Sequence, residues 1–383
     1  MNFYYWSPFI SNVATIKAVL NSAISIKKFS QKINPIIINV IGEWNQYKEI
    51  IKNDKINLIN FKEDPDFYEN LPRYSYIKSR FSYLIICLKS AIKLYRFLSK
   101  KKDSDYIILH LLTSLPLILI ILFDFKCKFV LRISGYPKLN FFRKFLWKLA
   151  SKRLHKISSP TRDTRKMLID KKIFKASSIK LVRDPIIDIN ELNFLKKEKV
   201  EEKIQNPFLV SIGRLTKQKN HKFLIKAFKI LKKKHTELKL VILGAGELEK
   251  ELKGITQNLD LSEDILFLGY KKNVFKYLKK SIAFILTSEW EDPGFVLIES
   301  AATKTTIISC NCKNGPKEFL NNGEAGYLYE KGNFNSFEKE FNQFYSDYKL
   351  TDNGNLKKKK LNALKESSKY TKFNHYKEIL EMI

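Results

Sequence analysis

Residues 208–231 read FLVSIGRLTKQKNHKFLIKAFKIL, and this stretch indicates the fold of the C-terminal half of the chain. The run Phe208–Ile212, which is apolar apart from Ser211, is typical of a buried parallel strand. A polar turn containing Gly213 follows. His221–Lys233 then places Phe223, Leu224, Ala227, Phe228 and Leu231 on one helical face. A strand, a glycine turn and an amphipathic helix in this order predict one unit of a doubly wound α/β domain.

The same alternation extends along the whole chain. Further strands are predicted at Asn2–Tyr5, Pro35–Val40, Tyr106–Leu109, Phe129–Ile133, Leu238–Leu243, Ile265–Gly269, Ile282–Thr287 and Thr306–Ser309. Helical spacing is found at Val13–Phe29, Ser82–Leu98, Leu248–Leu259, Val274–Lys279 and Phe295–Ala302. The predicted fold class is therefore α/β, with two doubly wound Rossmann-like domains that face each other across a cleft.

The domain boundaries follow from a change in composition. Leu195–Asn206 is dense in charge and short of core residues. We therefore expect an N-terminal domain over 1–190, a linker over 191–206 and a C-terminal domain over 207–365. Residues 366–383 are expected to form a terminal helix, which could cross back to the N-terminal domain.

The charge of the 383-residue chain is strongly positive and unevenly distributed. Seventy Lys and Arg against 39 Asp and Glu give +31, of which residues 1–180 carry +22 and residues 181–383 carry +9. Such a charge suggests a polyanion or an anionic membrane as a partner, and compositional drift is the alternative cause. No helix-turn-helix, zinc-finger or aromatic RNA-binding pattern is visible, so nucleic acid is the less favoured partner.

Cysteine and histidine usage predicts the compartment and argues against a metal cofactor. The four cysteines, Cys87, Cys127, Cys310 and Cys312, form no Cys-x-x-Cys pair and follow no secretory leader, which indicates a reduced cytosolic compartment. The five histidines lie far apart, so no zinc-ligand spacing exists. The apolar run Tyr106–Phe123 is interrupted by Pro116 and predicts a buried strand, a turn and a buried helix rather than a membrane span.

Two groups of residues at strand-to-helix turns could carry chemistry. In SIGRLTKQKN, residues 211–220, Gly213 permits a sharp turn, while Arg214 and Lys219 offer positive charge at a helix N-terminus. This arrangement suits a diphosphate, although a lysine-rich protein could place basic residues here by chance.

The second group is SEWEDPGFVLIE, residues 288–299. Its Pro-Gly pair can begin a helix whose first amides, at Gly294 and Phe295, suit an anion. Glu291 and Glu299 would repel that anion, so their presence needs another explanation. Carboxylates accept strong hydrogen bonds from sugar hydroxyls, which indicates a sugar-containing ligand. The alternative is a glutamate-rich surface loop. Gly244-Ala245-Gly246 is interpreted as a tight turn rather than a dinucleotide site, because Glu249 replaces the third glycine.

Together these motifs resemble family-4 retaining glycosyltransferases, which have the GT-B fold and occur in bacterial surface-polysaccharide assembly. The resemblance rests on Glu291-x7-Glu299, on Gly213-Arg214 with Lys219, and on the order of the C-terminal strands and turns. It implies that Glu291, Arg214 and Lys219 are catalytic. It also implies that the donor is bound by Gly213, Tyr270, Gly294, Phe295, Val296 and Glu299. No metal or other cofactor is expected, and a nucleotide-diphosphate sugar would be the substrate.

The N-terminal half matches the family less closely. The loop after the first strand, 6–12, lacks the family's glycines, and Ser134 stands where many members have a histidine. Ser134 and His110 are the weaker candidates for the acceptor side of the cleft, although His110 could equally be a packed core residue. A nucleotide-sugar epimerase on the same fold is the alternative enzyme, and a basic nucleic-acid-binding protein is the alternative outside enzymes.

The acceptor is expected to be a saccharide, with a polyprenyl-diphosphate-linked saccharide as the favoured form. Residues 78–102 and 141–165 each mix basic and aromatic side chains, a composition that suits an anionic bilayer surface, and a solvated helix face is the alternative. The sequence therefore predicts a cytoplasmic protein that is peripheral on the inner face of the plasma membrane.

Overall fold

The computed structural model describes residues 1–10, 14–61, 71–72, 76–133, 135–137, 139–350 and 354–383. Its contacts divide the chain into two compact units. The first unit comprises Met1–Pro185 with Lys372–Ile383, and the second comprises Ile186–Thr371. Each unit is built on one parallel sheet covered by helices, which confirms the predicted α/β class and its two Rossmann-like sheets.

The first unit has a seven-stranded sheet. Its strands are β1 (Asn2–Trp6), β2 (Asn34–Asn39), β3 (Asn57–Asn60), β4 (Tyr106–Leu109), β5 (Lys128–Arg132), β6 (Lys156–Ser159) and β7 (Ile179–Leu181). They lie in the order β3-β2-β1-β4-β5-β6-β7, and every pairing is parallel. The central strands are buried along almost their whole length, because helices cover both faces of the sheet.

The helices of the first unit form two layers. They are α1 (Ala14–Phe29), α2 (Lys48–Asn53), α3 (Tyr76–Ser99), α4 (Ser114–Leu122), α5 (Phe141–Ala150), α6 (Arg162–Asp170) and, from the end of the chain, α15 (Lys372–Met382). Right-handed crossovers require α1 and α2 on one face and α3 to α6 on the other. The two hydrophobic cores agree, since Ile86, Leu119 and Trp147 belong to one and Val19 and Ile379 to the other.

The apolar run that begins at Tyr106 consists of β4 followed by α4, as predicted. Pro116 is the third residue of α4, in the first turn, where no intrahelical bond requires its missing N–H. Of the helices in the described part of the chain, none is both long and apolar enough to cross a bilayer.

Helix α15 is held against the first unit by buried polar contacts. The ring of His375 lies between Ser22 Oγ, 2.7 Å from Nε2, and the carbonyl oxygen of Arg183, 2.6 Å from Nδ1. The carboxylate of Glu378 accepts a hydrogen bond from the Arg183 amide at 2.6 Å and pairs with the Arg183 guanidinium. Burial and the nearby charge of Arg132 lower the pKa of His375 to about 3. The ring is therefore neutral at physiological pH.

The second unit has a six-stranded parallel sheet. Its strands are β8 (Phe208–Ile212), β9 (Lys239–Leu243), β10 (Ile265–Phe267), β11 (Ala283–Leu286), β12 (Thr306–Cys310) and β13 (Tyr327–Tyr329). Its helices are α7 (Ile189–Leu195), α8 (His221–Lys232), α9 (Glu249–Asn258), α10 (Phe275–Lys280), α11 (Phe295–Ala302), α12 (Pro316–Phe319), α13 (Phe334–Lys349) and α14 (Gly354–Ser368). The strands lie in the order β10-β9-β8-β11-β12-β13.

The charged segment 191–206 is packed on the second unit. The contact boundary falls between Pro185 and Ile186, ahead of the residues that the sequence analysis treats as a linker. Within the segment, Leu192 is buried in a core of this unit, and Leu195, Val200 and Ile204 pack against that core. These four apolar side chains attach the charged segment to the second unit.

Candidate functional site

The candidate site lies where the strand order of the second unit reverses. The chain runs from β8 outward to β9 and β10, and from β11 outward to β12 and β13, so the reversal falls between β8 and β11. Ligands of doubly wound sheets bind at such a point, beyond the carboxyl ends of the strands. The loops that follow β8 and β11 contain both sequence-predicted groups, 211–220 and 288–299.

The loop after β8 is held by close backbone contact with the loop after β9. Gly213 N donates to Leu243 O at 2.9 Å, and Leu215 N donates to Ala245 O at 3.0 Å. A Cβ on Gly244, whose φ is +148°, would lie 1.9 Å from Gly213 O. Gly244 therefore serves close backbone approach, in agreement with the tight turn predicted for it.

The loops after β8 and β11 are joined by a set of hydrogen bonds. Thr287 Oγ1 donates to Lys219 O at 2.9 Å, and Glu289 N donates to Gln218 O at 2.8 Å. Gln218 Nε2 donates to Trp290 O at 3.1 Å, and Asn220 Nδ2 donates to Glu289 Oε1 at 2.6 Å. The two sequence-predicted groups therefore form one connected structure.

A buried ion pair lies at the centre of this structure. Lys219 Nζ is 2.5 Å from Glu291 Oε1, and the side chains are 16% and 6% exposed. Ser288 Oγ donates to the same carboxylate oxygen at 2.6 Å. Lys219 and Ser288 thus orient the carboxylate of Glu291 from two sides. A group that binds a ligand in one defined geometry needs such support from its neighbours.

Gly213 provides the space for this ion pair. A Cβ at this position would lie 3.1–3.2 Å from three methylene carbons of Lys219. The lysine stem therefore crosses directly over the glycine on its way to Glu291. A side chain at position 213 would require the Lys219 stem to shift by a few tenths of an ångström, which ties the glycine turn to the ion pair.

The loop before α11 is supported from behind. Glu291 N donates to Lys313 O at 3.1 Å, and a Cβ on Gly315, whose φ is +131°, would lie 2.3 Å from Pro293 O. Gly294 has a φ of +94° and caps α11, so the chain turns into the helix at this residue. The first amides of α11 follow at Phe295 and Val296, which are both half-buried, and Glu299 is buried one turn later.

The two remaining residues predicted in this unit are exposed. Arg214 directly follows Gly213, and its guanidinium forms no ion pair with any residue that the structure describes. Tyr270 is 78% exposed and follows Gly269, whose carbonyl accepts a hydrogen bond from Gly244 N at 2.8 Å. Arg214 and Tyr270 thus project from the carboxyl edge of the sheet and are available to a ligand.

Some residues of the site carry no sequence signal of their own. Gln218 and Asn220 hold the two loops together, Ser288 orients Glu291 within its own loop, and no motif marks these three residues. His221 opens α8 behind Lys219, and its Nδ1 is buried without a hydrogen-bond partner. Burial, and secondarily the charge of Lys219, lower the pKa of His221 to about 4, so the ring is neutral.

The candidates in the first unit have a different setting. Ser134 lies outside the described residues. His110 is 3% exposed and lines an interior cavity of about 10 Å³, together with Ser22, Arg132 and His375. Burial is the main cause that holds the pKa of His110 well below its ordinary value. Of the two sequence interpretations of His110, its environment is that of a packed core residue.

Across the described residues, no group of three or more His, Cys, Asp or Glu side chains is arranged to hold a metal ion. The groups of the site that can bind an anion are the cations Arg214 and Lys219 and the first backbone amides of α11, which have no acceptor within the helix.

Comparison with protein families gives a match within the second unit. The family described as "Glycosyl transferases group 1" matches residues 194–361. An N-acetylgalactosamine-N,N'-diacetylbacillosaminyl-diphospho-undecaprenol 4-alpha-N-acetylgalactosaminyltransferase of Campylobacter jejuni is 40% identical over 147 residues, which are 38% of this chain and 40% of that protein. A capsular polysaccharide biosynthesis glycosyltransferase of Staphylococcus aureus is 28% identical over 176 residues, 43% of each chain. The chain spans 34%, 40% and 44% of the length of three curated relatives that it matches.

Solved structures resemble the whole chain. A glycosyltransferase from Rickettsia africae has a TM-score of 0.74 at 17% identity, over 100% of this chain and 97% of that one. Alr3699/HepE from Anabaena, in complex with UDP, has a TM-score of 0.74 at 14% identity, over 100% and 99%. At such low identity these structures show the fold, which is GT-B.

Proposed function

We propose that this chain, whose residues 194–361 match the group 1 glycosyltransferase family and whose fold is GT-B, is a GT4-type glycosyltransferase related to enzymes of bacterial surface-polysaccharide assembly. The proposed reaction moves a sugar from a nucleotide-diphosphate sugar to a saccharide acceptor with retention of anomeric configuration. The observation that carries the proposal is the buried Lys219–Glu291 pair at the topological switch point of the second unit. A carboxylate fixed beside a cation suits a transferred sugar next to its diphosphate.

The proposed donor site uses the geometry of both loops. Arg214 and Lys219, over Gly213, hold the diphosphate together with the Gly294 and Phe295 amides. The oxygens of Glu291 accept hydrogen bonds from hydroxyls of the transferred sugar. The remaining donor contacts are proposed for Glu299 at the ribose hydroxyls, Val296 at its amide, and Tyr270 beside the nucleobase.

The proposed chemistry depends on charge that develops in the transition state. As the sugar–diphosphate bond breaks, the sugar becomes oxocarbenium-like and the leaving oxygen becomes negative. Lys219, Arg214 and the helix amides stabilise that oxygen because they are already in place before the reaction. The acceptor hydroxyl attacks from the face that the diphosphate leaves, and its proton passes to the leaving phosphate. Configuration at the anomeric carbon is therefore retained.

The acceptor is proposed to be lipid-linked. The Campylobacter relative acts, by its name, on a saccharide carried by diphospho-undecaprenol, and the Staphylococcus relative belongs to capsular polysaccharide biosynthesis. By analogy, we place this chain in surface-glycan synthesis, at the cytoplasmic face of the membrane that carries such acceptors. A donor–acceptor screen with nucleotide sugars and lipid-linked glycans tests this directly. Release of free epimerised nucleotide sugar without any acceptor would instead favour an epimerase.

Arg214→Ala is expected to weaken donor binding about 10–100-fold, because a hydrogen bond to a charged group contributes about 1.5–3 kcal/mol. The measurement is calorimetric titration with UDP, the nucleotide bound by the Anabaena relative. Lys217→Ala is the matched control, since Lys217 is an exposed cation of the same loop without a proposed contact. Equal affinities for the two variants would contradict the assignment of Arg214.

Gly213→Ala is expected to weaken UDP binding about tenfold while the second unit stays folded. The new Cβ would press on a flexible lysine stem and displace Lys219 Nζ from Glu291. Gly254→Ala is the control, because nothing lies within 4 Å of a Cβ at that helical position. UDP affinity and thermal unfolding of both variants decide the result. Unchanged affinity in Gly213→Ala would show that the position of Lys219 does not matter for the diphosphate.

A further inference from the structure

One surface of the first unit exposes an unusual amount of apolar side chain. Twelve of the 24 exposed large hydrophobic residues in the described part of the chain lie on α3, α4 and α5 or directly after α4. They are Phe81, Leu84, Leu88, Ile92, Tyr95, Ile118, Leu122, Phe123, Phe141, Phe142, Phe145 and Leu149. We call these twelve residues, with the basic residues between them, the helical face. Apolar side chains clustered in this way mark an interaction site.

The helical face is continuous. Its three helices cover the same side of the sheet, because the crossovers that contain them all run towards β7. Five of its residues form one stripe along α3 at intervals of three or four. Tyr95, at the end of that stripe, lies against Phe123 with ring centroids 4.7 Å apart. Helix α4 packs against both α3 and α5.

The charge of the helical face has one sign. Helices α3, α4 and α5 contain eight Lys and Arg and no Asp or Glu. The exposed cations Lys89, Lys93 and Arg96 adjoin the α3 stripe, and Lys144 and Lys148 adjoin the exposed phenylalanines of α5. Aromatic and aliphatic side chains among lysines and arginines are typical of helices that lie in the interface of an anionic bilayer.

We propose that the helical face docks on an anionic lipid bilayer, with its apolar side chains among the acyl chains and its cations at the phosphates. The proposal deepens the proposed function and rests on its lipid-linked acceptor, which lies in such a bilayer. A second copy of the chain fits less well, because two faces of the same positive sign repel each other. Nucleic acid fits less well, because exposed Leu88, Ile92 and Leu122 have no part in phosphate binding or base stacking.

The test is flotation of the full chain with lipid vesicles, without donor or acceptor. We expect binding to vesicles of phosphatidylcholine mixed with phosphatidylglycerol, little binding to phosphatidylcholine alone, and loss of binding at high salt. Lys144→Ser with Lys148→Ser should lower the affinity about 20-fold, at roughly fivefold for each lysine. Leu88→Ser with Ile92→Ser should lower it at least about tenfold.

Matched controls lie in the second unit. Lys357→Ser with Lys358→Ser removes two exposed lysines, and Phe194→Ser with Leu361→Ser removes two exposed apolar side chains, so neither pair should change binding. Equal losses in control and test variants, or equal binding to neutral vesicles, would overturn the proposal. So would self-association or RNA binding through Leu88 and Ile92 without vesicle binding. Glu291→Gln should bind vesicles as the wild type does, whatever its effect on sugar transfer. The flotation result and the transferase assignment can therefore fail independently of each other.

Discussion

Glu291→Gln is expected to lower kcat/KM for sugar transfer about 10³-fold, which corresponds to about 4 kcal/mol of transition-state stabilisation. The substitution keeps the size of the side chain and removes its charge. Lys219 then loses its counter-charge in a nearly buried position, and the transferred sugar loses a charged hydrogen-bond acceptor. The measurement is release of nucleotide diphosphate and formation of product in the presence of acceptor.

Glu289→Gln is the matched control for that result. Glu289 belongs to the same loop and is also paired, with Lys331 Nζ at 2.9 Å and with Asn220 Nδ2 at 2.6 Å. Its pairing is more exposed and joins loops rather than facing the proposed sugar, so we expect less than about a tenfold loss of activity. If Glu289→Gln were the more damaging change while Glu291→Gln stayed near wild-type activity, Glu291 would have no catalytic role. Thermal unfolding of both variants separates lost chemistry from lost structure.

Local patterns in the sequence predict much of the scaffold. Phe208–Ile212 and Tyr106–Leu109 are strands with the predicted bounds, and Phe295–Ala302 is a helix with the predicted bounds. In each case a largely apolar run or a helical spacing of apolar residues marks the side chains that are buried. Strands β3, β6, β7 and β13 were not predicted, because NLIN, KISS, IKL and YLY contain no apolar run of four residues.

The candidate site is predictable only in part. The strand-to-helix turns and the Glu291–Glu299 spacing locate the two loops, because each turn carries its own glycines and charges. The contacts between the loops are not local, since Lys219 and Glu291 are 72 residues apart in sequence. The close approach of Gly244 to the Gly213 carbonyl likewise depends on β8 and β9 being neighbours. Such contacts follow from the order of the strands in the sheet, and the spacing of apolar residues along the sequence does not reveal that order.

The polar interior of the first unit depends even more on distant contacts. Arg132 and Asp184 are 52 residues apart, and their side chains are 5% and 12% exposed in the ion pair that they form. The guanidinium of Arg132 also donates to Val182 O and lies 3.4 Å from Ser158 Oγ. Its charge contributes to the lowered pKa values of His110 and His375, so both rings around it are neutral. Asp184 is the carboxylate in direct contact with Arg132, whereas Glu378 interacts with it from a greater distance and is itself paired with Arg183.

Asp184→Ala is consequently expected to lower the free energy of unfolding of the first unit by about 3–5 kcal/mol, because it leaves a buried cation without its counter-charge. Asp124→Ala is the matched control. It breaks another Arg–Asp pair of the same unit, with Arg153, but Asp124 is 80% exposed, so less than about 1 kcal/mol is expected. The measurement is urea unfolding followed by tryptophan fluorescence in a Trp290→Phe background. The remaining tryptophans, Trp6, Trp44 and Trp147, all belong to the first unit, so the signal reports on that unit alone.

A double variant separates the charge from the space that it occupies. Arg132→Met with Asp184→Leu removes both charges and keeps most of the volume, so we expect it to recover more than half of the stability that Asp184→Ala loses. If the double variant were as unstable as Asp184→Ala, the loss would come from packing or from the hydrogen bonds to Val182 and Ser158. Recovery of stability in the double variant would instead show that Asp184→Ala destabilises the first unit because it leaves the charge of Arg132 without a counter-charge.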